Sequence, residues 1–315
     1  MPLTSFRLCY TRLSIVFTPN DKVKDWKDLQ TQVAQLFVEL GFTVHTPYVA
    51  ELAGRGRKEV DVYAEDRKAS SATVYIFECK WWNSEVPQDV VHAFHTVVQG
   101  CGANTGFIIS KRAFQKGAKE AVQYSNINLL TFEELQHKFG PEWFRIKQSE
   151  LREACAPVSE VTRLHFDQQS VLPVTNNIIF HTPELYERLC ILCVAAMHLI
   201  IQCASKWPES YLGPEPVRMA INPNNPSEPH NGWYTVPTVR QYFKEMIAAL
   251  HSWTTQFTEL RNEAKSSFDH LDATEQERLM SQSLSGVVEE TPVRVLKDRL
   301  PPEEYQRILK ILSPR

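Results

Sequence analysis

The stretch EVDVYAEDRKASSATVYIFECK, residues 59–80, decides the fold expected for this chain. Asp61 lies in its first, alternating run, and Glu78, Cys79 and Lys80 close a second run rich in β-branched and aromatic residues. Because side chains alternate between the two faces of a strand, Glu78 and Lys80 project to one side and Cys79 to the other. If the two runs pair as neighbouring strands, Asp61 meets that carboxylate and that ammonium group at one place.

Two carboxylates and a lysine at one place are what a magnesium-dependent phosphodiesterase needs. The carboxylates bind a hard cation that keeps some of its waters, and the lysine orients or deprotonates the attacking water and offsets charge on the phosphate. The alternative is an exposed ion pair between Asp61 and Lys80 across two strands, which stabilises a sheet by only about 0.2–1 kcal/mol. Spacing alone leaves both interpretations open.

Five blocks in order resemble the Mrr-like restriction endonucleases of the PD-(D/E)XK nuclease superfamily, over about residues 20 to 145. The blocks read WKDLQTQVAQLFVELGFTV, GRGRKEVDV, YIFECKWWNSEVPQDVVHAF, GANTGFIISKRAFQKGAKEAV and INLLTFEEL. A bare D…ExK pattern is weak, whereas this ordered series is much more specific. Two positions depart from the pattern. Val60 stands where the superfamily has proline, and Gln30 stands where related enzymes often carry a glutamate, so the resemblance does not imply a second metal site.

The resemblance implies an α/β fold with a PD-(D/E)XK restriction-endonuclease-like core, a central mixed sheet flanked by helices. It also implies an endonuclease that cuts double-stranded DNA with Mg²⁺, or with Mn²⁺ as a substitute ion, and leaves 5′-phosphate and 3′-hydroxyl ends. Asp61, Glu78 and the Cys79 carbonyl would bind the metal, and Lys80 would position and activate the water. Gln30 would bind water or the metal from the first helix. The expected setting is restriction or anti-phage defence.

Apolar spacing and turn residues predict alternating strands and helices in the first half of the chain. Spacings of three and four predict a helix at 23–40 that Gly41 ends. Thr131 predicts an N-cap with a capping box, for a helix that Gly140 and Pro141 end. Further helices are expected at 87–98 and 113–124, and strands at 42–48, 105–110 and 127–130.

Two basic segments are candidate contacts to DNA phosphates. The first, GRGRK at 54–58, is expected to be a flexible loop beside the metal site. The second lies at the start of the helix expected at 113–124, where charge and free amide groups can hold phosphates together. The candidate DNA-binding residues are Arg55, Arg57, Lys58, Lys111, Arg112 and Lys116. In both segments the alternative is a solvated surface, and for Trp81 and Trp82 stacking on a sugar or base and packing against the next helix stay equally open.

The second half of the chain changes character. Residues 151–180 lose apolar spacing and are expected to link a nuclease domain at 1–150 to a mainly helical domain at 181–315. The helices of that domain are expected from Thr182 and Pro183 to about 206, and at 236–271, 274–284 and 303–312, with a long loop at 208–232. The apolar stretch 189–204 is shorter than the roughly 20 residues that span a bilayer, so a buried core helix and no membrane contact are expected. The role expected for the domain is as a partner, sensor or oligomerisation surface, in a homodimer or with a partner protein.

Composition sets further limits. With 315 residues, of which 43% are apolar, the chain can bury a core in each of two domains. A net charge of −3 does not indicate a general polyanion binder, but a near-neutral domain can bind DNA through a local basic groove. Seven cysteines without a regular framework predict a reducing compartment. An apolar run lies at 13–18, but Arg7 and Arg12 break up the core that a signal peptide would need. A cytoplasmic location is therefore expected.

The sequence is compatible with three functions. The leading hypothesis is a metal-dependent endodeoxyribonuclease. The alternative from a different class is a catalytically weak DNA-binding or scaffold subunit of a multi-protein defence or repair system, which the lack of a recognisable helix-turn-helix or zinc finger favours. A junction resolvase or repair nuclease on the same fold is the third, because fold does not choose among these activities.

Overall fold

The computed structural model describes residues 16, 18–54, 56–67, 72–166, 179–204, 216–219, 221–227 and 234–284. The chain divides into two compact units. The first is formed by residues 1–147 with 208–215, and the second by residues 148–207 with 216–315.

A five-stranded mixed sheet is the centre of the first unit. Its strands, in the order in which they lie side by side, are β1 (Thr43–His45), β4 (Val62–Asp66), β5 (Thr73–Lys80), β6 (Thr105–Ser110) and β7 (Ile127–Thr131). The first two neighbouring pairs are antiparallel and the last two are parallel. Strands β2 (Tyr48–Leu52) and β3 (Gly56–Val60) pair separately as an antiparallel hairpin.

Helices cover both faces of this sheet. The helices of the first unit are α1 (Trp26–Glu39), α2 (Gln88–Gly100), α3 (Lys116–Ala121) and α4 (Phe132–Phe166), the last of which continues beyond Lys147 into the second unit. On one face, the Phe37 ring of α1 lies 4.6 Å from Phe77 and 4.9 Å from Phe139 of α4, measured between centroids. On the other face, Ile76 shares a buried cluster with Phe94 of α2. The expected α/β core, a mixed sheet flanked by helices, is confirmed.

Local signals placed several helix ends correctly. Gly41 follows α1 with φ of 89°, a backbone conformation that costs glycine little. At the start of α4 the Thr131 hydroxyl accepts from the Glu134 N–H at 3.2 Å, and the Glu134 carboxylate accepts from the Thr131 N–H at 2.7 Å. This reciprocal pair is the capping box that the sequence predicted.

The prediction that Gly140 and Pro141 end a helix was wrong, because α4 runs through them to Phe166. A proline inside a helix costs about 3 kcal/mol. The residues that follow offset this cost, since Trp143 and Phe144 are 0% and 2% exposed and burying each large apolar side chain stabilises by about 1.5–3 kcal/mol. The expected linker at 151–180 therefore begins as helix, and its residues 167–178 lie outside the described part of the chain.

Two other expectations differ from the structure. The flexible loop expected at 54–58 is wrong for residues 56–58, which belong to β3 and pair with β2. The helix expected at 113–124 has only six residues and begins at Lys116. It ends early because Tyr124 adopts φ of 65°, which does not continue a right-handed helix.

The second unit is mainly helical, as expected. Besides the end of α4 it contains α5 (Pro183–Ala204), α6 (Val239–Asp269), α7 (Ala273–Leu284) and the antiparallel pair β8 (Val217–Met219) and β9 (Tyr234–Val236). Leu189 and Cys193 of α5 pack with Leu260 and Ala264 of α6 in a buried cluster. The Thr182 hydroxyl accepts from the Leu185 N–H at 3.3 Å, which is the predicted cap of α5. The helix expected at 303–312 and most of the loop expected at 208–232 lie outside the described residues.

Within the described residues, α5 alone is long and apolar enough to cross a membrane. Half of its most apolar window is buried inside the structure. A core helix of a water-soluble protein passes the same test of length and composition, so this feature is weak support for a membrane span.

Candidate active site

Strand pairing brings Asp61, Glu78 and Lys80 together, and these three residues are called the acidic site below. Asp61 lies in the bend between β3 and β4, and the register pairs the next residue, Val62, with Phe77 of β5. The Asp61 carboxylate accepts a hydrogen bond from the Cys79 N–H at 2.6 Å. Lys80 donates a short hydrogen bond to the Glu78 carboxylate. The convergence expected from the sequence is therefore present in the structure.

The acidic site is partly buried. The side chains of Glu78 and Lys80 are only 22% and 19% exposed. Burial raises the pKa of the Asp61 carboxyl above its ordinary value, and the nearby Glu78 charge adds to the rise. The Cys79 N–H and the Lys80 ammonium lower the pKa of the Asp61 carboxyl, but they offset only part of the rise. A second negative charge is thus costly at this site unless a cation accompanies it.

The Gln30 side chain contacts the acidic site at the main chain of Asp61. Its side-chain amide donates to the Asp61 carbonyl at 2.5 Å, and Gln30 itself is 8% exposed. The Thr46 hydroxyl donates to the same carbonyl at 2.9 Å. The two residues hold the bend at Asp61 in place. The sequence did not point to Thr46, because an exposed threonine ahead of a proline carries no signal of a partner fifteen positions away.

Cys79 contributes its main chain to the site and not its thiol. The thiol lies on the opposite face of β5 and is 5% exposed, and burial raises the pKa of Cys79 well above its ordinary value. The expectation that Cys79 points away from Glu78 and Lys80 is therefore met.

The donor set of the acidic site fits a hard divalent cation. Among the described residues, no group of three or more His, Cys, Asp or Glu side chains is arranged to hold a metal ion. Two carboxylates with main-chain oxygens nearby instead suit an ion such as Mg²⁺, which usually keeps several waters and takes only one or two carboxylates from the protein. Asp61 and Glu78 are both partly buried, and the Glu78 charge raises the pKa of Asp61. A bound cation would offset the repulsion between two such carboxylates.

Lys111 and two tryptophans lie beside the acidic site. The Lys111 N–H donates to the Lys80 carbonyl at 3.1 Å, and its ammonium donates to the side-chain oxygen of Asn83 at 2.8 Å. That ammonium also lies 5.0 Å from the Trp81 ring centroid, while the Lys80 ammonium lies 5.5 Å from the ring of Trp82. Trp82 is 41% exposed, so its ring remains open to a ligand next to Lys80. No sequence signal pointed to Asn83.

The other candidate DNA-binding residues lie at the surface. Arg57 contacts Glu51 at 3.0 Å, and Lys116 contacts Glu120 at 3.6 Å. Both are therefore partly neutralised by a carboxylate. The sequence predicted that Lys111 and Arg112 lie at a helix N-terminus that could hold a phosphate. This prediction was wrong for those two residues, because α3 has six residues and begins at Lys116. Lys58 and Arg112 are exposed, and Arg55 lies outside the described residues.

Comparison with known proteins agrees with the resemblance found in the sequence. Residues 22–139 match the family model Mrr_cat, a restriction endonuclease, which is consistent with the resemblance expected over about residues 20 to 145. Among solved structures, the chain is similar to the crystal structure of a protein of unknown function, AF1548, at 21% identity and a TM-score of 0.31. That similarity covers 34% of this chain and 59% of the other, which is less than two thirds of its length. No curated protein matches the chain.

Proposed function

We propose that this protein is a Mg²⁺-dependent DNA endonuclease that hydrolyses phosphodiester bonds in restriction or anti-phage defence. The observation that carries the proposal is the hydrogen bond of 2.6 Å from the Cys79 N–H to the Asp61 carboxylate, beside the contact between Glu78 and Lys80. The match of residues 22–139 to a restriction endonuclease family supports it.

Asp61 and Glu78 would hold the cation, with the Cys79 carbonyl as a third protein oxygen. When bound, Mg²⁺ or Mn²⁺ supplies a Lewis acid that polarises the phosphate and lowers the pKa of coordinated water. The Cys79 N–H and the donors Gln30 and Thr46 fix the Asp61 carboxylate and carbonyl in one orientation. This preorganisation spares the site a rearrangement at the moment of reaction.

Lys80 would orient the attacking water and offset negative charge on the phosphate. Its ammonium contacts the Glu78 carboxylate and lies 5.5 Å from the Trp82 ring centroid, so its position is constrained. A lysine that is four fifths buried interacts more strongly with a nearby phosphate than an exposed one, because the effective dielectric constant is lower.

DNA would approach along the side of Lys111, Asn83 and Trp82. Lys111 supplies positive charge to a phosphate, and the exposed Trp82 ring supplies a stacking surface for a base or sugar. Arg57, Lys58 and the basic residues from Arg112 onward would contribute weaker, salt-sensitive contacts to the backbone of double-stranded DNA.

One observation favours the alternative of a catalytically weak DNA-binding or scaffold subunit. Gln30 stands where a further carboxylate would strengthen cation binding, and its amide is used to hold the Asp61 carbonyl. The helical second unit would then recruit a partner or a second copy of the chain. In either case we place the protein in the cytoplasm, where its cysteines would stay reduced.

The test is cleavage of a supercoiled plasmid by purified protein with Mg²⁺. We expect wild type to cut, and Asp61→Asn and Lys80→Met to lose about 100-fold or more of the rate, as removal of one electrostatic catalytic group usually causes. The matched controls, Asp269→Asn and Lys24→Met at exposed positions, should cut like wild type. A folded wild type that does not cut with Mg²⁺ or Mn²⁺ favours the alternative of a scaffold subunit. Equal cutting by Asp61→Asn and wild type removes the acidic site from the mechanism.

A further inference from the structure

Two tryptophans follow Lys80 at the carboxyl end of β5, and each ring lies beside a lysine ammonium. The Lys80 ammonium lies 5.5 Å from the Trp82 ring centroid, and the Lys111 ammonium lies 5.0 Å from that of Trp81. Because β5 and β6 are parallel, Lys80 at the end of β5 and Lys111 just after β6 lie on the same edge of the sheet. Positive charge interleaved with aromatic rings is the arrangement with which proteins bind unpaired stretches of nucleic acid.

The segment that carries Trp82 is held in place on its carboxyl side. The side-chain oxygen of Asn83 accepts from the Lys111 ammonium at 2.8 Å. Further along, Val86 is fully buried and its N–H donates to the Ala113 carbonyl at 3.2 Å. A side chain on a segment that is already ordered loses little conformational freedom when a ligand covers it, and this favours binding.

The Trp82 ring is open to a flat ligand, since 41% of the residue is exposed. In a fully paired duplex the neighbouring bases cover each base face, and a protein reaches the backbone and the base edges in the grooves. An aromatic ring beside a lysine that contacts a phosphate therefore meets a base face only where that base is unpaired or has left the stack.

We propose that Trp82 stacks on an unpaired base next to the phosphate that Lys80 contacts, so that the protein prefers duplex DNA that contains an unpaired stretch. This inference rests on the proposed function, because it takes Lys80 as the group that contacts the phosphate. A base that is already unpaired spares the unpairing and unstacking that a matched duplex would require. Trp82 is then the residue that determines specificity for DNA structure.

The test is the binding of the full chain to two labelled DNA molecules of equal length, measured by fluorescence anisotropy with Ca²⁺. One DNA is fully paired, and the other carries a central bubble of unpaired bases. We expect wild type to bind the bubble about 5- to 150-fold more tightly, which is the range for stacking on one base. Trp82→Ala should bind both DNA molecules equally, and Trp82→Phe, which keeps an aromatic ring, should retain most of the preference.

Tyr124→Ala is the matched control. Tyr124 is a 98% exposed aromatic residue that lies just before β7. Since β5, β6 and β7 are parallel, it lies at the opposite end of these strands from Lys80. The control should therefore bind both DNA molecules like wild type.

A second measurement needs no variant, so it holds even if Trp82→Ala fails to fold. The fluorescent base 2-aminopurine is placed in the bubble, and its fluorescence should fall when wild type binds, because stacking on an aromatic ring quenches it. Unchanged fluorescence would overturn the inference. Equal affinity of wild type for both DNA molecules, or an undiminished preference in folded Trp82→Ala, would also overturn it.

Failure of the proposed function would show separately. A wild type that prefers the bubble, loses this preference in Trp82→Ala and does not cut DNA with Mg²⁺ supports the role of Trp82 and contradicts the nuclease activity. A wild type that cuts plasmid but binds both DNA molecules equally supports the nuclease activity and contradicts the role of Trp82.

Discussion

Replacing Asp61 by asparagine should have opposite effects on stability with and without a divalent cation. Burial and the Glu78 charge raise the pKa of the Asp61 carboxyl, so its ionised form is disfavoured in the folded protein relative to the unfolded chain. A group whose pKa is raised by folding stabilises the fold below its unfolded pKa, and this stability is lost as the pH rises through the folded pKa. At neutral pH without metal, Asp61→Asn should therefore be more stable than wild type.

With Mg²⁺ the order should reverse. A ligand that binds only the folded state stabilises it by RT ln(1 + [L]/Kd), which is about 1.4 kcal/mol at ten times the Kd. For a unit the size of residues 1–147, this raises the melting temperature by about 4 °C. Asp61→Asn removes one of the two carboxylates proposed to bind the ion, so its melting temperature should barely respond to Mg²⁺.

The assay is a thermal scan of wild type, Asp61→Asn and the exposed control Asp269→Asn, each with and without Mg²⁺. Ca²⁺ should stabilise wild type as well, since it also takes oxygen ligands. The control should respond like wild type. If Mg²⁺ raises the melting temperature of Asp61→Asn as much as that of wild type, the acidic site is not where the ion binds and the reasoning fails.

Three further predictions address separate contacts. Gln30→Leu removes one donor to the partly buried Asp61 carbonyl, which keeps the Thr46 hydroxyl as a donor, so urea unfolding should show a loss of about 0.5–1.5 kcal/mol and the cleavage rate should fall. Trp82→Ala should weaken binding to DNA by about 1–3 kcal/mol if the ring stacks on a base, measured by fluorescence anisotropy, and unchanged affinity would assign the ring to packing. Hydrogen bonds from Arg188 lower the pKa of Glu263, so the stability they give exists above the ordinary pKa and disappears as the pH falls through the folded pKa. Glu263→Gln should accordingly lower the melting temperature at pH 7 but not near pH 3, and an equal effect at both pH values would contradict the assignment.

Strand periodicity was enough to predict the acidic site. The alternation along β5 fixes Glu78 and Lys80 on one face, and one antiparallel pairing then brings Asp61 beside them. The capping box at Thr131 was equally readable, because it depends on residues three positions apart. Features that depend on residues close together in the chain could therefore be predicted from the sequence alone.

Contacts between distant parts of the chain could not be predicted. Nothing in the sequence near Pro141 shows that α4 continues through it. The cost of this proline is offset by the burial of Trp143, whose ring N–H donates to Glu39 of α1 at 2.6 Å. The hydrogen bond that the Gln30 side-chain amide donates could not be predicted either. Its partner, the Asp61 carbonyl, lies 31 residues away and is chosen by the packing of α1 on the sheet.

The most direct test of the central claim is a crystal structure of the protein soaked in Mn²⁺, with anomalous scattering used to locate the ion. We expect one peak in the first unit within coordination distance of an oxygen of Asp61 and an oxygen of Glu78, close to the Cys79 carbonyl. The same soak of Asp61→Asn should show no peak there. A peak elsewhere in wild type, or none at saturating Mn²⁺ with the acidic site accessible, would contradict the claim that these carboxylates hold the catalytic ion.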